Sequence, residues 1–274
     1  MDSNETPPMA SPVALPYARP VGITPELPPA GWAFAQTIVV FVVFLAWQIS
    51  YGLFIADRVH DIHPGAVLYV HVVGLALFSL AAVAIVSARD PAPLAAMGLA
   101  ARFTARDIGL GLLFIIPCYV ANILISSLYV ALSKFDVETL AANKMENMDV
   151  LGSISLLAVV PVSIFVGIYE EILFRGFLLS RLRAIFGGAG SSAGSTLAVL
   201  VSSVLFGAGH FYQGLLGVMQ TTVVGLVLGI VAVRRRSIWA CIIAHIGIDT
   251  FGLFLLKIVA PYIMEYLKTA TQPA

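Results

Sequence analysis

Six ionisable side chains stand inside apolar runs: Glu170, Glu171 and Arg175, then His210, then His245 and Asp249. Carboxylates and imidazoles are the groups that take and return a proton near neutral pH, so together they can activate water. Helical spacing sorts them. Glu171 and Arg175 are four apart, on one face and in the favourable acid-before-base order, and read as a mutually neutralising, orienting pair. Glu170 is turned by about 100° from that face and has no partner in its own helix, which leaves it free to act as general base or acid. His245 and Asp249 are again four apart. The carboxylate there can fix the orientation and tautomer of the imidazole, or add a hydrogen bond of its own. Gly207 and Gly209, just before His210, allow backbone or substrate to come close.

These groups are costly where they stand. Of 274 residues 59% are hydrophobic and only 11% charged, against about 25% charged in soluble domains. A soluble fold of this size could not hide so much apolar surface, so the chain is expected to be an all-α polytopic transmembrane helix bundle. A charge at the bilayer centre costs about 2.5–3.5 kcal/mol on insertion scales. One such residue is explained as well by a structural ion pair or a snorkelling helix end. Six on three neighbouring helices are not, and they mark a site within the membrane. The formal net charge is zero, which argues against nucleic acid as a partner. Cys118 and Cys241 lie in apolar runs and read as small core residues. His60 and His63 belong to a solvated turn, and His71 is a packing residue of the second span.

Eight prolines fall between Pro7 and Pro29, so residues 1–30 read as a disordered tail. Spans are expected at 32–56, 65–88, 107–133, 151–180, 195–213, 214–233 and 237–258, since each crossing needs roughly 20 apolar residues. The fourth contains Pro161, which predicts a kink, or a division that would give eight elements. Residues 31–149 then form an N-terminal set of helices with an amphipathic, interfacial stretch at 92–106. Residues 150–258 form the part that carries the ionisable cluster, and 259–274 a C-terminal tail. One side of this topology collects Arg19, Arg89, Arg102, Arg106, Arg181, Arg183, Arg234, Arg235 and Arg236. The other has Arg58, Lys134, Lys144, Lys257 and Lys268. The basic excess predicts a cytoplasmic N-terminus and cytoplasmic arginine loops, in an inner or plasma membrane. Glu170 and His245 each lie about ten residues from an arginine boundary, some 15 Å deep, which predicts a polar chamber open to that side. His210 reads as deeper, near the far end of its span.

The cluster also resembles a known signature. The CAAX-protease and bacteriocin-processing (CPBP or Abi) family of intramembrane endopeptidases carries E-E-x-x-x-R, F-x-x-x-H and H-x-x-x-N/D on successive membrane helices. Here these read Glu170-Glu171-Ile-Leu-Phe-Arg175, Phe206-Gly-Ala-Gly-His210 and His245-Ile-Gly-Ile-Asp249. Each motif is short, but all three occur in order. The resemblance covers roughly residues 150–256 and implies hydrolysis of peptide bonds in membrane-associated substrates, such as prenylated CAAX-like tails or bacteriocin-type peptides. Carried over residue by residue, it implies that Glu170 and His210 activate water and that His245 and Asp249 stabilise the oxyanion. Glu171, Arg175 and Phe206 would support them. An ionised Asp249 would repel an oxyanion, so it must be protonated or act through His245. No cofactor is expected. Zinc is the alternative, but nothing here has the H-E-x-x-H spacing of the usual zinc proteases. Beyond the bilayer, the expected partner is a peptide or protein substrate. Two other readings of the same residues remain: a proton- or divalent-metal-coupled transporter, and a catalytically silent immunity or binding protein on the same scaffold.

Overall fold

The structure, a computed structural model, describes residues 27–62, 66–133, 155–188 and 190–270. Most of the proline-rich segment, the acidic stretch 134–149 and His63 lie outside the described residues. Helix α1 (Ala30–Ser50) passes through a π-helical turn (Tyr51–Ile55) into α2 (Ala56–Ile62). Then come α3 (Val67–Ser87), the short α4 (Pro93–Ala96) and α5 (Ala105–Ser133). Helix α6 (Leu156–Glu171) continues through a second π-helical turn (Ile172–Leu178) into α7 (Leu179–Ile185). After α8 (Ser192–Ala208), a 3-10 turn (Phe211–Gln213) leads to α9 (Gly214–Arg235), and α10 (Trp239–Ala270) follows. No strand occurs among the described residues. Hydrocarbon offers no hydrogen bonds, so a spanning segment must satisfy its own backbone groups, and the helix does that within one segment.

Among the described residues, six helices are long and apolar enough to cross a bilayer: Ala30–Asp61, Tyr69–Ser87, Ala105–Leu132, Leu156–Ile185, Phe211–Arg235 and Trp239–Val259. The protein is an integral membrane helix bundle. The segment expected as a fifth span over 195–213 is the 17-residue α8. At 1.5 Å per residue it covers about 25 Å, less than a hydrocarbon core of about 30 Å. Pro161 lies within α6, and the helix continues through it. The helix departs from α geometry at Ile172–Leu178, directly after the two glutamates. Helix α10 runs on to Ala270, past residue 258 where the sequence suggested that the last span ends.

The bundle is apolar outside, and its apolar core encloses a set of polar side chains. Phe34, Leu77, Ile85 and Leu157 are exposed, whereas Gln36, Asp90, Glu171, Arg175 and Arg181 are buried. Helix α10 packs on α5 and α6, α9 packs on α8 and α5, and the α1–α3 hairpin joins the core through α7. Gly207 lets α8 and α9 approach: a Cβ there would stand 2.7 Å from the carbonyl oxygen of Val218 and would strike Thr222. Gly225 faces Ser203 and Phe206, Gly229 faces Val199, and Gly247 faces Ile115, so these glycines serve helix packing.

One end of the bundle is pinned by buried ion pairs. Arg181, expected at a polar boundary, is fully buried. Its guanidinium donates to Asp90 and Ser87 and lies 4.7 Å from the centroid of the Phe177 ring. Gln36 of α1 donates to the same Asp90 and to the carbonyl of Val86. Arg235 at the end of α9 pairs with Asp107 at the start of α5, 2.8 Å away. Loss of one partner from a buried pair such as Arg181–Asp90 is costly; with the half-buried Arg235–Asp107 pair, these contacts hold the N-terminal hairpin and α5 against the core. This is the arginine end of the bundle.

Candidate active site

All the predicted site residues are brought to one place by α6, α8 and α10. Glu170 and Glu171 end the regular part of α6, and Arg175 sits in the π-helical turn that follows. A π-helical turn displaces the backbone hydrogen bonds of a helix and is frequent at functional sites. Ser202 of α8 donates to the carbonyl of Phe174 in this turn, at 3.3 Å. The Arg175 guanidinium donates to Glu171 Oε1 at 2.7 Å and lies 4.0 Å from the centroid of the Phe206 ring. Phe206, buried in the last turn of α8, also meets the rings of Phe174 and His245 edge-on.

His245 lies between the two glutamates. Its Nδ1 is 2.7 Å from Glu171 Oε1, and its Nε2 is 3.7 Å from Glu170 Oε2 and 3.6 Å from Asp249 Oδ2. The group that orients this imidazole is therefore Glu171, from another helix. Asp249 stands at the opposite ring nitrogen, not in the orienting position that its spacing had allowed. His210 follows the end of α8, and its Nδ1 is 2.9 Å from the carbonyl oxygen of Phe206. A carbonyl can only accept, so Nδ1 carries the proton and the Nε2 of a neutral ring presents a lone pair. That Nε2 is 3.9 Å from Glu170 Oε2. His210 does not sit beyond Glu170 as its place in the sequence suggested, because α8 is short and the chain turns back at this level.

Glu170 is thus approached by two imidazole nitrogens without being bound by either, since both separations exceed hydrogen-bonding range. Its Oε1 accepts from the hydroxyl of Tyr169 at 2.9 Å, while its buried Oε2 has no hydrogen-bond partner among the described residues. Tyr169 carried no signal in the sequence, because helical neighbours one apart do not ordinarily face each other. Glu171 is 0% and His245 5% exposed, whereas the side chains of His210 and Asp249 are 16% and 29% exposed. His71 lies apart on α3, against the ring of Tyr51.

At the arginine end a small cavity of about 30 Å³ reaches the cluster's Arg175 and is lined also by Leu179, Arg183, Arg236 and Ile238. Phe177, Leu178, Leu228, Ile238 and Cys241 pack around it, each 0–2% exposed. The accessible members of the cluster lie the other way: Asp249 is one helical turn beyond His245 as α10 leaves the arginine end, and His210 caps the far end of α8.

Among the described residues no group of three or more His, Cys, Asp or Glu side chains is arranged to hold a metal ion. The Nε2 atoms of His245 and His210 stand 3.7 and 3.9 Å from the same carboxylate oxygen of Glu170.

Residues 152–251 match the family model described as type II CAAX prenyl endopeptidase, Rce1-like. The matched stretch contains all three motifs, so this part of the chain is Rce1-like, as the motifs indicated. The chain is also 30% identical over 121 residues to the "Putative membrane peptidase YdiL" of Bacillus subtilis (strain 168). The aligned stretch covers 44% of this chain and 46%, about half, of that relative. No solved structure matches the chain.

Proposed function

We propose that the protein is an intramembrane endopeptidase of the glutamate type, with residues 150–258 as its catalytic core. The observation that carries this reading is the unpartnered Glu170 Oε2 between the Nε2 atoms of His210 and His245. A water oxygen about 2.8 Å from Glu170 Oε2 and from the facing Nε2 fits either gap.

In this reading Glu170 takes a proton from that water while His210 Nε2 accepts its second hydrogen bond and aims the oxygen at the scissile carbonyl. The O–H bond breaks as the C–O bond forms, leaving a tetrahedral oxyanion. When His245 carries both protons, it donates Nδ1–H to Glu171 and presents Nε2–H to the oxyanion. Asp249, beside that Nε2, acts through His245 or as the neutral acid. Glu170 then returns its proton to the leaving nitrogen as the C–N bond breaks. Arg175 and Phe206 hold Glu171 and the rings in place.

The substrate class implied by the family is a membrane-associated peptide, a prenylated CAAX-like tail or a bacteriocin-type peptide. The test is a cleavage screen on the purified protein with prenylated and unprenylated peptides. Cleavage is expected to survive exhaustive treatment with EDTA and phenanthroline, with less than one tightly bound zinc per chain by elemental analysis. A stoichiometric zinc whose removal and return switch activity off and on would overturn the metal-free mechanism.

The orientation proposed here puts the N-terminus and the arginine end in the cytoplasm, on the weight of basic loops. A cysteine replacing Ser192, exposed at the start of α8, should react with an impermeant thiol reagent only after the membrane is opened. Labelling in intact cells would reverse the orientation.

A further inference from the structure

The α8–α9 connection combines three features. It is tight: α8 ends at Ala208, and Phe211–Gln213 form one 3-10 turn. Gly214 then turns the chain into α9 with a φ of 74°, a left-handed conformation natural only to glycine. The connection lies beside the site, since His210 Nε2 is 3.9 Å from Glu170 Oε2. It is also openly apolar. Phe211 is 73%, Tyr212 55% and Leu215 65% exposed, while Phe206, one turn earlier, is 2% exposed. Gln213 donates to the Tyr212 hydroxyl at 3.0 Å, and the Tyr212 ring centroid is 5.9 Å from that of His210.

At the arginine end the cavity that reaches Arg175 measures about 30 Å³, room for a water and not for a peptide, and the cluster's accessible side chains, His210 and Asp249, are on the side of this turn. We infer that substrate reaches the site from the end of the bundle opposite the buried arginine pairs, across an aromatic rim of Phe211 and Tyr212, and that this rim selects a bulky apolar substrate residue beside the scissile bond. The inference rests on the endopeptidase reading and adds to it an entrance and a specificity determinant. A peptide bond held at Glu170 brings its flanking residues within reach of the rings that follow His210. An aromatic platform in a low-dielectric mouth takes an apolar side chain and excludes water from it. If the two rings only face lipid, selectivity is indifferent to them.

Two measurements test this. The first uses the purified full-length protein and peptides that differ at the residue next to the cleaved bond, alanine against leucine or phenylalanine. The wild type should prefer the bulky residue. Phe211→Ala and Tyr212→Ala should each cut that preference by about tenfold, the scale of one apolar contact, through KM and with kcat on the alanine peptide kept. Tyr212→Phe should retain the preference, and so should Leu124→Ala, which removes a lipid-exposed residue of α5. An unchanged preference in both alanine variants overturns the rim. The second measurement needs no turnover. Cys118 and Cys241 are both 0% exposed, so a cysteine introduced at the surface is the reactive one. In sealed vesicles, Tyr212→Cys and Ser192→Cys should react with an impermeant thiol reagent from opposite sides. Reaction from the same side, or an inert Tyr212→Cys, overturns the entrance. If no peptide in the panel is cleaved by the wild type, the endopeptidase reading fails, while the labelling still decides the entrance.

Discussion

Glu170→Gln is expected to lower kcat by about 10²–10⁴-fold, the contribution of a positioned general base or acid, with Tm and oligomeric behaviour in detergent unchanged. The amide has the size of the carboxyl and keeps an acceptor for the hydroxyl of Tyr169, the one hydrogen bond that Glu170 accepts among the described residues. What it loses is the ability to take a proton at Oε2, the atom that faces both imidazoles. Glu170→Ala should be as inactive and still inserted and folded, because no buried cation depends on Glu170 within hydrogen-bonding distance. Near-normal turnover in either variant would remove Glu170 from the role of base and leave the proposed mechanism without one.

Glu171→Ala is expected to act differently, by loosening the protein as well as silencing it. Glu171 is fully buried and its Oε1 meets both the Arg175 guanidinium and His245 Nδ1 at 2.7 Å. Removing it strands a buried guanidinium, a change that costs about 3–5 kcal/mol, or on the order of 10 °C in Tm for a chain of this size. It also frees the His245 ring to turn. Glu171→Gln should fall between, because its carbonyl oxygen can still accept one of the two hydrogen bonds. Thermal unfolding in detergent, read beside turnover, separates the two glutamates: Glu170 variants lose rate alone, Glu171 variants lose both. A wild-type Tm in Glu171→Ala would mean that Arg175 and His245 find other partners.

The sequence by itself determined the solvent, the class of fold and the identity of the cluster. Composition required lipid, lipid required helices, and an ionisable residue in an apolar run is visible without coordinates because its cost does not depend on its neighbours. The Glu171–Arg175 pair was legible for the same kind of reason, since four residues is a local distance that the helix itself sets. Three things were decided only by tertiary structure. Glu171, not Asp249, holds the His245 Nδ1, and Tyr169 serves Glu170 from the neighbouring position. The first of these contacts joins different helices, and the second depends on how the end of α6 is turned into the core. His210 stands level with Glu170 because α8 stops at 17 residues, and hydropathy counted on through the apolar Phe211 and Tyr212 as if the helix continued. The more exposed members of the cluster, His210 and Asp249, lie away from the arginines, although counting residues from the nearest charge pointed toward them. Depth along a helix says how far a residue is from each end. How exposed it is at either end depends on side chains that pack across helices, here Phe177, Leu178, Leu228 and Ile238, and on one exposed turn that no periodicity announces.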